Sequence, residues 1–357
     1  MTMTQTSRTT TDSTLNLTAV ADFLRASMPT GNGVGELTAT QITGGKSNLT
    51  YRVTDGEHRW ILRRPPLGAV LHSSHDVGRE FRVMQGLCGS AVPVPAVVAH
   101  CPDPSVIGAP FYVMDQVDGV VLNSRDLVAE LTDAERAELG RSLVDTLVDL
   151  HEVEPAAVGL DDLGKPTGYL ERQLSRWVRQ FQAIKVRELP QVESLADKLA
   201  RSMPKHGGSS LVHGDYRIDN VITAPGAPGS IAAVLDWEMA TLGDPLADLG
   251  LLVSFWDEPG QAHNPITNGL TAFDGFPTAD EVVARYATRR GIDASLFDWY
   301  RVFGLWKVAV ILEQIHARHH QGLTLGDGFD DVEAMPSTLL HQASEIAAHS
   351  RLAALRH

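Results

Sequence analysis

The sequence predicts an α+β protein in two lobes, a β-rich front followed by a larger, mostly helical back. Three observations carry this. Residues 40–43, 50–54 and 60–63 are short β-prone runs parted by turn signals such as Asp55-Gly56, which read as a meander. From Thr132 onward the apolar residues recur every three or four positions, the period of a helix. The chain has 357 residues, 43% of them hydrophobic, enough for two cores at roughly 100–200 residues per domain.

Taken in order, residues 1–16 read as a mobile tail, rich in Thr and Ser and without the apolar stretch of a secretory signal. Residues 17–26 read as a short helix, and Gly31, Gly33 and Gly35 as a turn. The three β runs follow. Residues 75–87 read as a helix, with Val77, Phe81, Met84 and Leu87 on one side, and residues 111–114 as a strand. A hinge at residues 115–119 then divides an N-lobe (17–117) from a C-lobe (118–357), with a cleft expected at the junction. Beyond it, Thr132 and Glu135 form a capping box, opening a helix that carries Leu139, Leu143, Val144, Leu147 and Leu150 on one face. Residues 169–186 and 192–203 read as further helices. Residues 210–213 and 231–235 read as two apolar strands around a loop, in a hairpin-like arrangement, with helices from there to the end.

The composition excludes several functions. The net charge is −14, from 44 acids against 30 bases, which disfavours nucleic acid and anionic lipid as partners. Two cysteines, Cys88 and Cys101, make neither a disulfide framework nor a Cys-rich zinc site. The most apolar late segment, residues 302–315, is broken by Lys307 and Glu313 and is too short to span a bilayer. A cytoplasmic protein is expected, of unassigned oligomeric state. His316, His319 and His320 resemble a metal cluster but sit at a polar helix end, and they read as solvated.

The chemistry concentrates in residues 213–220, His-Gly-Asp-Tyr-Arg-Ile-Asp-Asn. Asp215 stands five residues before Asn220, in a loop leaving an apolar strand, and Asp236 ends the next such strand. Phosphoryl transfer needs these types: a carboxylate to take or orient a hydroxyl proton, and an amide oxygen with a second carboxylate to hold Mg²⁺ against phosphates.

This motif, with residues 231–238 (Ile-Ala-Ala-Val-Leu-Asp-Trp-Glu) and 243–249 (Gly-Asp-Pro-Leu-Ala-Asp-Leu), resembles the aminoglycoside phosphotransferase family, related to choline kinases and protein kinases. The likeness runs from about Ile42 to Ile315. It implies a protein-kinase-like fold, ATP or GTP and Mg²⁺ as cofactors, and a small-molecule hydroxyl acceptor. It also implies Asp215 as the catalytic residue, Asn220 and Asp236 as metal ligands, and His213 and Asp248 as structural members around the loop. An Asp in the place of Asp248 braces the loop through backbone amides in related kinases; an ordinary helix-start carboxylate is the alternative.

The N-lobe is expected to hold the nucleotide. Gly44, Gly45, Ser47 and Asn48 lie between two strands, where glycines allow backbone N–H groups to approach phosphate; a Gly-Gly hairpin turn is the alternative. Kinases place a Lys on the following strand, paired to a helical Glu. Here the matching residues are Arg63 and Glu80, a departure that a guanidinium's grip on phosphate can accommodate. Arg64 is the rival, on the opposite strand face. Met114, Gln116 and Val117 are expected to meet the base, with Val53, Ile61 and Leu235 as its apolar wall or simply as core. Trp299, Phe303 and Trp306, at helical spacing, read as core or as one wall of the acceptor site.

Residues 62–68, with Arg79-Glu80-Phe81, further resemble the phosphotransferase-like domains fused to acyl-CoA dehydrogenases. That branch implies a hydroxylated acyl or other apolar acceptor, able to be anionic, rather than a clinical aminoglycoside. The competing readings are a nucleotide-binding pseudokinase or regulatory module, and a hydrolase using Asp215 and Asp236 as a carboxylate pair.

Overall fold

A computed structural model describes residues 15–28, 33–42, 48–67, 76–184, 186–205, 208–261, 263–320 and 332–357. The chain divides into two compact units, residues 1–118 with 232–239, and residues 119–231 with 240–357. Gly44, Gly45 and Ser47, as well as residues 1–14, lie outside the described residues.

The first unit is built on a five-stranded antiparallel sheet. Helix α1 (Leu17–Ser27) precedes strands β1 (Thr38–Ile42), β2 (Leu49–Thr54) and β3 (Arg59–Arg64); helix α2 (Val77–Leu87), β4 (Val97–Cys101) and β5 (Phe111–Asp115) follow. The sheet order is β1-β2-β3-β5-β4. Strand alternation decides what each side chain meets. Tyr51, Val53, Trp60 and Leu62 form one face and bury against Val20, Ala21 and Leu24 of α1. Arg63 and Tyr112, paired across β3 and β5, belong to the other face. Helix α2 starts on an Asp76 cap, whose side chain accepts from the Arg79 amide. The segment around β4 carries no clean alternation, its pairing with β5 shifts register between Val97 and Ala99, and the sequence reading had missed this strand.

The second unit is mainly helical. It comprises β6 (Val120–Val121), α3 (Arg125–Ala129), α4 (Asp133–Glu152), α5 (Tyr169–Ile184), α6 (Pro190–Arg201), β7 (Ser210–Val212), β8 (Val221–Ala224) and β9 (Ala227–Val234), whose last residues enter the first unit. Then come β10 (Thr241–Gly243), α7 (Pro245–Ser254), α8 (Ala279–Arg290), α9 (Phe297–His320), α10 (Met335–His349) and α11 (Ala353–Arg356). The Thr132–Glu135 capping box forms as its spacing predicts. Helix α7 is buried almost all round and crosses α9 closely; a Cβ on Gly250 would sit 2.5 Å from the Tyr300 carbonyl oxygen. No helix among the described residues is long and apolar enough to cross a membrane.

The two apolar strands around residues 213–220 do not pair with each other, contrary to the hairpin expected. Strand β7 pairs with β10, and β9 lies beside β8. Leu211 and Leu242 match in register, as do Ser210 and Gly243. Hydrophobicity marks a strand but does not name its neighbour, which is why the pairing was misread.

Candidate active site

In the second unit, the loop after β7 carries Asp215 and Asn220, and its shape is held from beneath. Asp248, buried on α7, accepts from the backbone N–H groups of His213 (2.7 Å to Oδ2) and Gly214 (2.8 Å to Oδ1). Gly214 has φ of 84°, a conformation in which glycine carries no Cβ penalty. His213 is fully buried, and its Nδ1 accepts from the Asp215 amide at 3.2 Å. Tyr216 anchors the next turn by donating to the Leu143 carbonyl at 3.0 Å.

The support continues inward. His151 Nε2 lies 3.4 Å from Asp248 Oδ2, and its Nδ1 lies 2.7 Å from the Tyr286 hydroxyl. Burial alone would raise the Asp248 carboxyl, yet His151 and the loop amides hold it below its ordinary range. Burial pushes His151 down, against the pull of Asp248. A single late His on α4 has no nearby sequence partner, and nothing in the spacing reveals this role.

Asn220 Nδ2 donates to both the Asp215 carbonyl (2.8 Å) and Asp215 Oδ2 (3.2 Å). Both amide hydrogens being directed to Asp215, Asn220 Oδ1 is the atom left for a cation. Arg217 Nη2 lies 3.4 Å from Asp215 Oδ2 and its Nε 3.2 Å from Asp219 Oδ1, while its guanidinium stacks 5.3 Å over Phe255. Arg217 was quoted in the motif without a role; its position two residues after Asp215 is the signal that could have found it.

In the first unit, Arg63 Nη1 meets Glu80 Oε2 at 3.0 Å and Nη2 meets Asp236 Oδ1 at 3.4 Å. The buried Glu80 also accepts from the Tyr112 hydroxyl (2.9 Å) and Asn48 Nδ2 (2.8 Å). Burial pushes the Glu80 carboxyl up, opposed by Arg63. Asn48 thus directs one of its two amide hydrogens to Glu80. Arg64, one residue on, turns to the other face and donates to the Tyr51 hydroxyl at 3.2 Å.

Asp236 takes a left-handed backbone, φ 65°, strained for a non-glycine residue, and a 3₁₀ turn at Trp237–Met239 follows. This folds Glu238 back: oxygen atoms of Glu80, Asp236 and Glu238 come within 4.8 Å of one another. Oxygen donors of this kind suit a hard divalent ion such as Mg²⁺. Among the described residues this is the one grouping of His, Cys, Asp and Glu able to hold a metal, and it does not include His316, His319 or His320. Glu238 was not foreseen, although the Asp-x-Glu spacing was in plain view.

The amides of Asp115 and Gln116 are consumed by Ala96 and Arg59 carbonyls at 2.8 and 3.0 Å, and Gln116 Oε1 accepts from Arg52. Val117 N–H makes no hydrogen bond to a described residue and is the donor left for a base. Met114 is buried in β5 opposite Ile61. Val53 faces α1 with the core and so departs from the wall proposed with Ile61 and Leu235.

Trp299, Phe303 and Trp306 are buried, and the indole N–H groups donate to the Leu199 and Val192 carbonyls of α6 at 3.1 and 2.9 Å. They form helical core, not an open wall, because their face of α9 packs on α6.

A profile of the family described as "Phosphotransferase enzyme family" matches residues 38–302. The chain belongs to that family. It is 36% identical over 293 residues to acyl-CoA dehydrogenase family member 11 of Rattus norvegicus, covering 80% of this chain and 37% of that protein. It is 33% identical over 309 residues to family member 10 of Mus musculus, covering 85% and 28%. The chain thus spans 37% of the length of the family member 11 protein and 28% of that of the family member 10 protein. A solved structure of a candidate aminoglycoside phosphotransferase from Ralstonia eutropha superposes with a TM-score of 0.78 at 31% identity, covering 93% of this chain and 99% of that one. The GDP complex of an aminoglycoside 2'-phosphotransferase, 15% identical with a TM-score of 0.59 and covering 92% and 98%, shares the fold. The α+β phosphotransferase fold and the likeness to the domains of acyl-CoA dehydrogenase family members are as the sequence implied.

Proposed function

We propose that this phosphotransferase is a small-molecule kinase that moves the γ-phosphate of ATP or GTP to an alcohol. The observation that carries the reading is the Asp215 loop, where Asp248 binds two consecutive amides and Asn220 binds Asp215 itself. A degenerate loop would have no need of that order, which speaks against the pseudokinase alternative.

In the proposed reaction, Asp215 orients the acceptor hydroxyl and takes its proton as the acceptor oxygen bonds to the γ-phosphorus. The bond from that phosphorus to the β,γ-bridging oxygen breaks, its electron pair leaves with the nucleoside diphosphate, and the proton passes to solvent. Arg63, held by Glu80, is assigned to the α/β-phosphates, and the Val117 amide to the base. Asn220 and Asp236 are assigned to Mg²⁺ on the family resemblance, with Glu238 added beside Asp236. When bound, the ion neutralises charge developing on the phosphates.

A hydroxylated acyl or other apolar acceptor is favoured over an aminoglycoside. A polyamine sugar needs free carboxylates, since each desolvated ammonium requires a partner. The acidic pair of the second unit is committed elsewhere. Asp257 accepts from the amides of Asn264 and Gly269, each at 3.0 Å, and from Thr267. Glu258 accepts from the Ala279 amide at 2.8 Å. Asp330 and Asp331 lie outside the described residues. The names of the relatives point the same way, toward acyl chemistry. Mass spectrometry of a metabolite extract incubated with Mg²⁺ and γ-labelled ATP, beside a panel of aminoglycosides, tests this. A labelled hydroxyacyl phosphoester is expected. An aminoglycoside turned over with kcat/KM near ~10⁴–10⁸ M⁻¹s⁻¹, the range of enzymes on their own substrates, would refute the acceptor assignment.

A further inference from the structure

Arg217 is the cation of the Asp215 loop, and the reaction as assigned gives it no part. Its Nη2 lies 3.4 Å from Asp215 Oδ2 and its Nε 3.2 Å from Asp219 Oδ1. Its carbonyl accepts from the Asn220 amide at 3.0 Å, which ties its backbone into the same turn. The guanidinium rests on the ring of Phe255, 5.3 Å from the centroid. Phe255 is itself buried at the end of α7, its amide bonded to the Leu251 and Leu252 carbonyls. Two ion pairs, a ring face and a backbone bond thus fix one guanidinium beside the proposed catalytic carboxylate.

These contacts do not use up its donors. A guanidinium carries five N–H groups, and none of those on Arg217 makes a hydrogen bond to a described residue. Nε is sealed from solvent and out of line with Asp219, whereas Nη1 and Nη2 are not sealed. Nor is Arg217 the main support of Asp215. Asn220 Nδ2 reaches the Asp215 carbonyl at 2.8 Å and Oδ2 at 3.2 Å, closer than Arg217 does. A guanidinium that serves to hold a carboxylate grips it by two short bonds, as Arg285 grips Asp145 in this unit at 2.7 and 2.6 Å. The single 3.4 Å approach of Arg217 is of another kind.

The proposed transfer brings two anions together at this point. The acceptor oxygen lies about 2.7 Å from the Asp215 carboxylate when hydrogen-bonded to it, and the attacked phosphorus about 3–3.5 Å from that oxygen. Arg217 Nη2 stands within the same radius of Asp215. A guanidinium keeps its charge and matches two phosphoryl oxygens with its fork of donors. Fixed there in advance, it offsets the repulsion between carboxylate and phosphoryl group at no cost in reorganisation.

We propose that Arg217 is a second catalytic residue, donating to the non-bridging oxygens of the γ-phosphoryl group during transfer to the acceptor. The bond from phosphorus to the β,γ-bridging oxygen breaks and the bond to the acceptor oxygen forms; the guanidinium forms no covalent bond and keeps its protons. The inference rests on the kinase reading and adds to it the group that meets the moving phosphoryl.

The test uses the full chain as wild type, Arg217→Met and Arg217→Lys. Kinetics follow Mg²⁺-dependent ATP turnover, and calorimetry follows MgADP binding with and without aluminium fluoride, a mimic of the phosphoryl group in flight. Arg217→Met should lower kcat by roughly 10²–10³-fold, the worth of one preorganised donor, with the MgATP KM within a few-fold of wild type. Aluminium fluoride should tighten MgADP binding in wild type, and most of that gain should be lost in Arg217→Met and partly regained in Arg217→Lys. The same loss should recur in an Asp215→Asn background, where a role exercised through Asp215 has nothing left to act on. If Arg217→Met does not fold, Arg217→Lys should still show the same losses in smaller measure at an unchanged Tm. A kcat within a few-fold of wild type, a loss confined to the MgATP KM, aluminium fluoride that tightens MgADP no more in wild type than in the variants, or an effect that disappears with Asp215→Asn each overturns the inference. If wild-type turnover depends on Asp215 and the Arg217 variants match it, the inference falls and the kinase reading stands. If wild type shows no Mg²⁺-dependent turnover at all, both fall.

Discussion

Asp248→Asn isolates the support of the Asp215 loop. The substitution keeps the shape of the side chain, but an amide offers one oxygen where the carboxylate offers two. Asp248 Oδ1 and Oδ2 each accept a backbone N–H, from Gly214 and His213. One of these buried donors must then face an NH₂ group. Losing a hydrogen bond to a charged acceptor and stranding its donor costs about 3 kcal/mol. In a unit of this size that corresponds to about 6 °C in Tm. The loop should also shift by a fraction of an ångström under Asp215, and misplacement on the scale of 1 Å can cost on the order of 10²-fold in rate. Differential scanning calorimetry and steady-state kinetics on one preparation read both effects. A Tm within 1 °C of wild type and kcat within a few-fold would refute the bracing role.

His151 is held neutral by burial, so its folded pKa lies below the ordinary 6.5; the unfolded chain then binds the extra proton, and the stability this group contributes is lost as pH falls from 6.5 toward the folded value. In His151→Gln that loss should vanish, so the gap in Tm to wild type should narrow between pH 7.5 and 5.5; a constant gap would contradict it. Arg63→Ala should weaken MgATP, measured by calorimetry, more than Arg64→Ala does, and Arg63→Lys should recover most of the affinity; the reverse ranking would move the phosphate role to Arg64. Asp236→Ala should remove the Mg²⁺-dependent part of ATP binding, and Glu238→Gln should raise the Mg²⁺ needed for half-maximal binding several-fold. Unchanged metal dependence in both would show that the carboxylate group holds no ion.

Much of this was legible in the residues, for identifiable reasons. The Arg63–Glu80 pair could be read because a strand residue has one face and the helix after it offers one well-placed Glu. The capping box at Thr132 was legible because it is local. What stayed hidden depends on long-range placement. The pairing of β7 with β10 is fixed by which apolar edges meet, and neither strand carries a mark of its partner. His151 reaches Asp248 from α4, across 97 positions of sequence, and Tyr286 reaches His151 in turn from α8. Lys307 read as an interruption in an apolar run, which is how a buried cation looks before its surroundings are known. Trp299, Phe303 and Trp306 have a spacing that fits core and site wall alike; only the α6 carbonyls beneath the indoles decide between them.

The central claim is transfer of a phosphoryl group from nucleotide to an alcohol by way of Asp215. ³¹P NMR of wild type and Asp215→Asn, each with Mg²⁺, ATP and the acceptor found in the extract, follows it directly. Wild type should convert the γ-phosphate resonance into a phosphomonoester, and Asp215→Asn should do so roughly 10²–10⁴-fold more slowly, as for the loss of a general base, with nucleotide affinity little changed. Equal rates in the two proteins, or a γ-phosphate that appears solely as inorganic phosphate, would contradict the account.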